Sequence, residues 1–150
     1  MGITIRKATL KDLEPLSLLF DGYRVFYEKE SNLEGANAFL KDRINNKESD
    51  IFVAIDETGN MTGFIQLYPI FSSTRMKRFS LLNDLFVHPS YRGQGISKSL
   101  LFEVQKFTQE TGSCGLMLET AKTNVIGNSL YPAVGFELDE EHNYYTWDTK

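Results

Sequence analysis

The spacing of apolar and polar positions changes several times along the chain, and each change marks an element. Ile3-Thr4-Ile5-Arg6 alternates as a half-buried strand does. Thr9 and Asp12 have the spacing of a capping box. Leu10, Leu13, Leu16, Leu19, Phe20 and Tyr23 then fall on one face of a helix. Pro15 sits near its first turn, where a missing N–H matters least. Leu33, Ala36, Phe39, Leu40 and Ile44 predict a second helix, closed by Asn45-Asn46. The continuous apolar run Ile51-Phe52-Val53-Ala54-Ile55 predicts a strand buried on both faces. Asp56 to Asn60 reads as a hairpin turn and Thr62 to Tyr68 as the return strand. Phe71 to Arg78 reads as a polar, basic connection.

The sharpest switch lies between Leu81 and Leu101. Leu81-Leu82-Asn83-Asp84-Leu85-Phe86-Val87 is strand-like, and Pro89 ends it by removing a backbone donor. Arg92-Gly93-Gln94-Gly95 makes a glycine-rich turn. From Ile96 the period becomes helical, with Leu100, Leu101, Val104 and Phe107 on the same face, as far as about Glu110. Gly115 to Glu119 predicts a further strand, and Val125 to Val134 a short helix with Gly135 at its C′ position. Phe136-Glu137-Leu138 and Tyr144-Tyr145-Thr146-Trp147 read as two closing strands joined by the acidic Asp139-Glu140-Glu141-His142. The order βααβββαβαββ predicts a mixed α/β (α+β) sheet with helices packed on it.

At 150 residues the chain is expected to form a single domain, 1–150. Net charge is −4, which argues against a nucleic-acid partner. No apolar run approaches membrane-spanning length, so no membrane partner is expected. The N-terminal residues lack the apolar stretch of a signal peptide. Cys114 is the single cysteine, which points to a reducing compartment and hence the cytoplasm. His88 and His142 have no metal-ligand spacing, and no metal is expected.

A strand, a glycine turn and a helix start together aim several free backbone N–H groups at an anion. The residues exclude two phosphate-binding classes. A Walker loop needs a Lys directly after its last glycine, where this chain has Ile96. A Rossmann loop needs a third glycine where this chain has Lys98.

Arg92-x-x-Gly95-x-Ser97 resembles the Gln/Arg-x-x-Gly-x-Gly/Ala signature of the GNAT superfamily of N-acetyltransferases. Asn124-Val125-Ile126-Gly127-Asn128-Ser129-Leu130-Tyr131-Pro132-Ala133-Val134-Gly135-Phe136 is similar to the family's Asn-x-x-Ala-x-x-Leu-Tyr-x-x-x-Gly-Phe motif. Leu82 to Val87 resembles its central strand in the histone-type, HPA-like branch. There are three departures. Ser97 replaces Gly/Ala, Gly127 replaces Ala at a cost of about 1 kcal/mol to the short helix, and Pro132 enters the last turn.

The resemblance implies a mostly antiparallel mixed sheet splayed between its fourth and fifth strands and flanked by helices. It implies acetyl-CoA as co-substrate and direct acetyl transfer to a primary amine of a small molecule, peptide or protein. It also implies pyrophosphate on the N–H groups of Arg92, Gly93, Gln94, Gly95, Ile96 and Ser97. The pantetheine arm would lie along the backbone of Leu85, Phe86 and Val87, with Asn124 also touching the cofactor. Tyr131 is implied as the group that protonates the leaving thiolate. Glu119 and Asp84 are the candidate bases, and Glu119 is the first choice. It stands twelve residues before Tyr131, as the Glu does in the ribosomal-protein N-terminal acetyltransferase branch. Asp84 is an acid in an otherwise apolar strand. Tyr23, Tyr27, Glu28 and Glu30 are candidates to line the acceptor site. Similar proteins imply a homodimer. The alternative reading is a non-catalytic acyl-CoA-binding module.

Overall fold

The computed structural model describes residues 2–150. They form two compact units, one ending at Glu119 and the other spanning Thr120–Lys150.

The first unit is built on a sheet of order β1-β2-β3-β4-β5: β1 (Thr4–Lys7), β2 (Asp50–Ile55), β3 (Met61–Ser72), β4 (Lys77–Val87) and β5 (Leu116–Met117). The first four pair antiparallel in sequence, and β4 pairs parallel with β5. Helices α1 (Leu13–Phe26) and α2 (Leu33–Asn45) separate β1 from β2, and α3 (Ile96–Glu110) separates β4 from β5. The Thr9–Asp12 capping box forms as the spacing predicts, over a short 3-10 turn before α1. Asp12 Oδ2 accepts from Thr9 N–H at 2.8 Å, and both carboxylate oxygens accept from the Arg6 fork at 2.8 Å.

Alternation along β2 sorts side chains between the two faces. Ile51 and Val53 join Phe64 and Phe86 in a core sealed by Leu16, Leu19 and Phe20 of α1 and Ala36 and Leu40 of α2. Phe52 points the other way, with its ring 5.1 Å from Phe107 of α3. Ile96, Leu100, Leu101 and Val104 of α3 are buried, as their spacing predicts.

Two departures from regularity in β4 shape the face and the edge that this strand presents. Gln66 of β3 pairs with Asp84, but its neighbour Leu67 pairs with Leu82, so Asn83 is an extra residue, a β-bulge. Gln66 and Leu67 point to opposite faces, and the bulge lets their partners do the same. Leu82 turns with Leu67, and Asp84 turns with Gln66, Phe64 and Phe86 toward α1 and α2. Second, β4 meets β5 only at Ser80 and Leu81. From Leu82 to Val87, β4 has no strand partner on that side among the described residues. This is the splay that the resemblance implies.

The structure corrects two expectations in this unit. The connection expected over Phe71–Arg78 is half strand, because β3 runs to Ser72 and β4 starts at Lys77, leaving only the turn 73–76 between them. Its polar residues decorate the solvent end of a long hairpin, where Arg78 covers the ring of its cross-strand partner Phe71 at 5.4 Å. β5 is two residues long rather than five.

In the second unit, α4 (Val125–Ala133) is capped by Asn124, whose Oδ1 accepts from Gly127 N–H at 3.0 Å. Gly135 follows with φ 98°, a left-handed conformation that glycine adopts without strain. The two closing strands expected at 136–138 and 144–147 do not form. The turn between them does, with Asp139 accepting from the N–H groups of Glu141 and His142. Leu138, Tyr144, Tyr145 and Trp147 are exposed. A strand needs a partner for its backbone groups and burial for one face, and an alternating sequence supplies neither by itself.

Candidate active site

Among the described residues, Asp84 is the only acidic one lining a cavity of about 500 Å³ in the first unit. The bulge turns its side chain onto the α1/α2 face, where it is 5% exposed. Gln66, fully buried on β3, donates from Nε2 to Asp84 Oδ2 at 2.7 Å. Asn83 donates from Nδ2 to Oδ1 at 3.1 Å. Each carboxylate oxygen keeps a lone pair for a ligand. Gln66 Oε1 is buried and has no hydrogen-bond partner.

The walls are aromatic. Phe20, Tyr23 and Tyr27 come from α1 and its end, Phe39 from α2 and Tyr68 from β3. Phe20 stacks on Phe39 at 5.9 Å, and Tyr23 meets Phe64, Phe86 and Tyr27 edge-on. Burial, with the Asp84 charge adding to it, pushes the Tyr68 phenol up to about 12. Tyr68 therefore stays a neutral hydroxyl across the physiological range. Arg24 and Lys29 are the cations of the lining.

The open edge of β4 lies on the same strand as Asp84. His88 N–H donates to Thr62 O at 2.8 Å, which fixes the phase of the β3–β4 ladder. In an antiparallel pair alternate residues bond across it, so Phe86 turns its backbone groups to β3. Leu85 and Val87 turn theirs to the open edge. Arg92 Nε donates to Val87 O at 3.1 Å, and its guanidinium lies 4.9 Å above the Phe26 ring. The charge of Arg92 is thus engaged with β4 and α1.

Beyond Arg92 the chain turns through Gly93 and Gly95, at φ 78° and 77°. Any other residue would be strained there. A Cβ at either position would meet nothing within 4 Å, so the backbone is open to close approach. Gly95 caps α3 without a side chain, leaving the first-turn N–H groups of Ile96 and Ser97 free of a side-chain cap. This bare, positive helix end suits a pyrophosphate, and the open edge suits an amide-bearing chain. The preceding loop is pinned by Tyr91 Oη donating to Asp56 at 2.9 Å. Asp56 is held down to about 2, chiefly by the Asn60 N–H.

The remaining candidates from the sequence are divided between the two units. Glu119 is exposed and does not line the cavity. Tyr23 and Tyr27 line it, whereas Glu28 and Glu30 do not. In the second unit, both amide atoms of Asn124 serve local structure, since Nδ2 donates to Thr120 Oγ1 at 2.8 Å. Tyr131 lies on α4 with its ring 5.8 Å from Phe136. His88 Nδ1 accepts from Ser90 N–H, and His142 pairs with Asp139. Among the described residues no three His, Cys, Asp or Glu side chains cluster as metal ligands, and no helix is long and apolar enough to cross a membrane. Gln66, Arg24, Lys29 and Tyr68 were not anticipated. Gln66 alone left a signal, as a polar residue inside the apolar run Phe64-Ile65-Gln66-Leu67.

A sequence model of the acetyltransferase (GNAT) family matches residues 16–136. The chain belongs to this family and is an N-acetyltransferase. It is 43% identical over 143 residues to the uncharacterized N-acetyltransferase YhfO of Bacillus subtilis (strain 168), covering 95% of each chain. The crystal structure of a probable acetyltransferase, 36% identical, superposes with a TM-score of 0.92 over 100% of this chain and 99% of the other. A more distant relative is the aminoglycoside N(6′)-acetyltransferase type 1 of Stenotrophomonas maltophilia. It is 26% identical over 145 residues, or 95% of this chain and 91% of that one. The histone-type, HPA-like branch is not singled out by these likenesses.

Proposed function

We propose that this protein moves an acetyl group from acetyl-CoA directly to the primary amine of a small molecule, with Asp84 as the base. One observation carries the reading. The strand that offers an unpaired edge from Leu82 to Val87 also holds a buried carboxylate in a small-molecule-sized cavity.

Acetyl-CoA supplies the acetyl group as a thioester, an acyl carbon open to attack, with the CoA thiol as leaving group. The N–H groups from Gly93 to Ser97 hold its pyrophosphate, and the edge groups of Leu85 and Val87 hold its arm. An edge N–H also polarises the carbonyl under attack. Asp84 takes one proton from the bound ammonium, which frees the nitrogen lone pair. As the new C–N bond forms and the C–S bond breaks, the nitrogen gives up its second proton. Tyr131, by the likeness of its motif, delivers a proton to the thiolate. Of the two protons the nitrogen loses, one returns to the Tyr131 phenolate by way of solvent and the other stays in solvent, which restores both side chains. Acetyl-CoA and the ammonium thus give the N-acetyl amine, CoA as its thiol, and one proton. Asp84 stands ahead of Glu119 because it lines the cavity. The family model's span across the Glu119–Thr120 boundary supports a single acetyltransferase domain.

The test is CoA release from acetyl-CoA in the presence of a panel of amines. Turnover is expected with at least one small amine, and Tyr131→Phe should lower it about tenfold or more. Saturating CoA, at about 100 times its Kd, should stabilise the fold by roughly 2.7 kcal/mol. CoA binding with no turnover across the panel would overturn the reading.

A further inference from the structure

The cavity wall carries charges of both signs. Its lining holds three charged side chains, Asp84, Arg24 and Lys29. Asp84 is buried, 5% exposed. Lys29 is exposed, and Arg24 is half-buried on α1. Aromatic rings share the lining with them.

The two cations are available to a ligand. Arg24 Nη1 donates to Glu30 O at 3.0 Å, which fixes the guanidinium and leaves most of its five donors uncommitted by that bond. Asp21 feels the Arg24 charge, but its two oxygens already accept from Ser31 Oγ at 2.6 Å and Asn32 N–H at 2.7 Å. Glu28 and Glu30 lie on the same segment but outside the lining.

We propose that the acceptor is a small zwitterion of the amino-acid type, its ammonium against Asp84 and its carboxylate at Arg24 and Lys29. This rests on the acetyltransferase reading of the same cavity. The aromatic rings suit the ammonium's passage and an apolar side chain. The guanidinium fork suits a carboxylate, which it binds through two parallel N–H donors. A polycation, such as an aminoglycoside or a polyamine, would set further positive charge beside Arg24 and Lys29, where like charges repel.

The experiment compares amine pairs that differ only by the carboxylate, leucine with isoamylamine and phenylalanine with phenethylamine. Spermidine and kanamycin are the polycationic arm. CoA release gives kcat/KM for each. The acid of a pair is expected to exceed its amine by about 10- to 100-fold. The double variant Arg24→Gln/Lys29→Gln should bring that ratio close to one, chiefly through a higher KM for the acid. The ratio within one variant is independent of how much of it folds. Amines or polycations turned over better than acids, or a preference that survives the double variant, would overturn the proposal. Absence of turnover with every amine is a failure of the enzyme reading, and calorimetry on the CoA-loaded protein then decides. Leucine binding that is lost in the double variant supports the zwitterion site, and no binding to the wild type overturns it.

Discussion

Asp84→Asn separates catalysis from folding, because the substitution keeps shape and removes charge. In the native protein Asp84 Oδ2 accepts a charge-assisted bond from Gln66 at 2.7 Å, in a setting 5% exposed. Such a bond contributes about 1.5–3 kcal/mol, and its neutral equivalent about 0.5–1.5 kcal/mol. The variant therefore forfeits about 1 kcal/mol on this contact. Two effects offset the loss. No charge is buried any longer. The orphaned Gln66 Oε1 also gains a neighbouring amide that can donate to it, while the exposed Asn83 exchanges its bond to Oδ1 for water. Net stability should change by no more than about 1 kcal/mol, or about 2–4 °C in Tm for a chain of this size. Activity should respond quite differently. A positioned base is worth about 100- to 10,000-fold, which corresponds to about 2.7–5.4 kcal/mol of barrier. Urea unfolding gives the first quantity, and thiol release at saturating acetyl-CoA gives the second. A loss of activity below about tenfold in a folded variant would show that a water or another residue takes the proton. A collapse of Tm alongside activity would show that Asp84 is a structural acid.

Gly95→Ala should cost about 1–2 kcal/mol of stability through its φ of 77° alone, since nothing lies within 4 Å of the added methyl. If a pyrophosphate occupies that space, calorimetry should show CoA affinity falling as well; unchanged affinity would move the cofactor elsewhere. Asp12 makes a pH prediction. The Arg6 fork, with help from Thr9, holds its carboxyl below the usual range against an opposing effect of burial. A group depressed in the folded state stabilises above its unfolded value, near 4, and that contribution fades as pH falls through its folded one. Asp12→Asn should therefore lower the urea midpoint at pH 7 and narrow the difference between pH 7 and pH 3. A variant that loses as much as the wild type on acidification would refute this.

Local signals were legible in the sequence. The Thr9–Asp12 box, the apolar face of α3 and the glycine turn each depend on residues a few positions apart, and each forms as their spacing predicts. What was hidden depends on partners distant in the chain. Whether Tyr144 to Trp147 extends a sheet depends on an edge to pair with, which alternation does not encode. Arg24 and Lys29 look like ordinary surface cations until folding places them around one cavity with Asp84. The bulge left a faint trace. Leu82 and Asp84, two apart in a strand, would share a face in regular alternation, which is an uncomfortable pairing of a leucine and an acid.

That bulge ties the site to chain length more than to residue identity at position 83. Substituting Asn83 removes one donor to Asp84, while Leu82 and Asp84 still anchor opposite faces around a spare residue. Deleting it leaves the strand no spare residue, so either Leu82 or Asp84 must face the wrong side. The same position should thus tolerate replacement in a mutational library and reject a one-residue deletion. A scan limited to substitutions would pass over one of the most sensitive points of the fold.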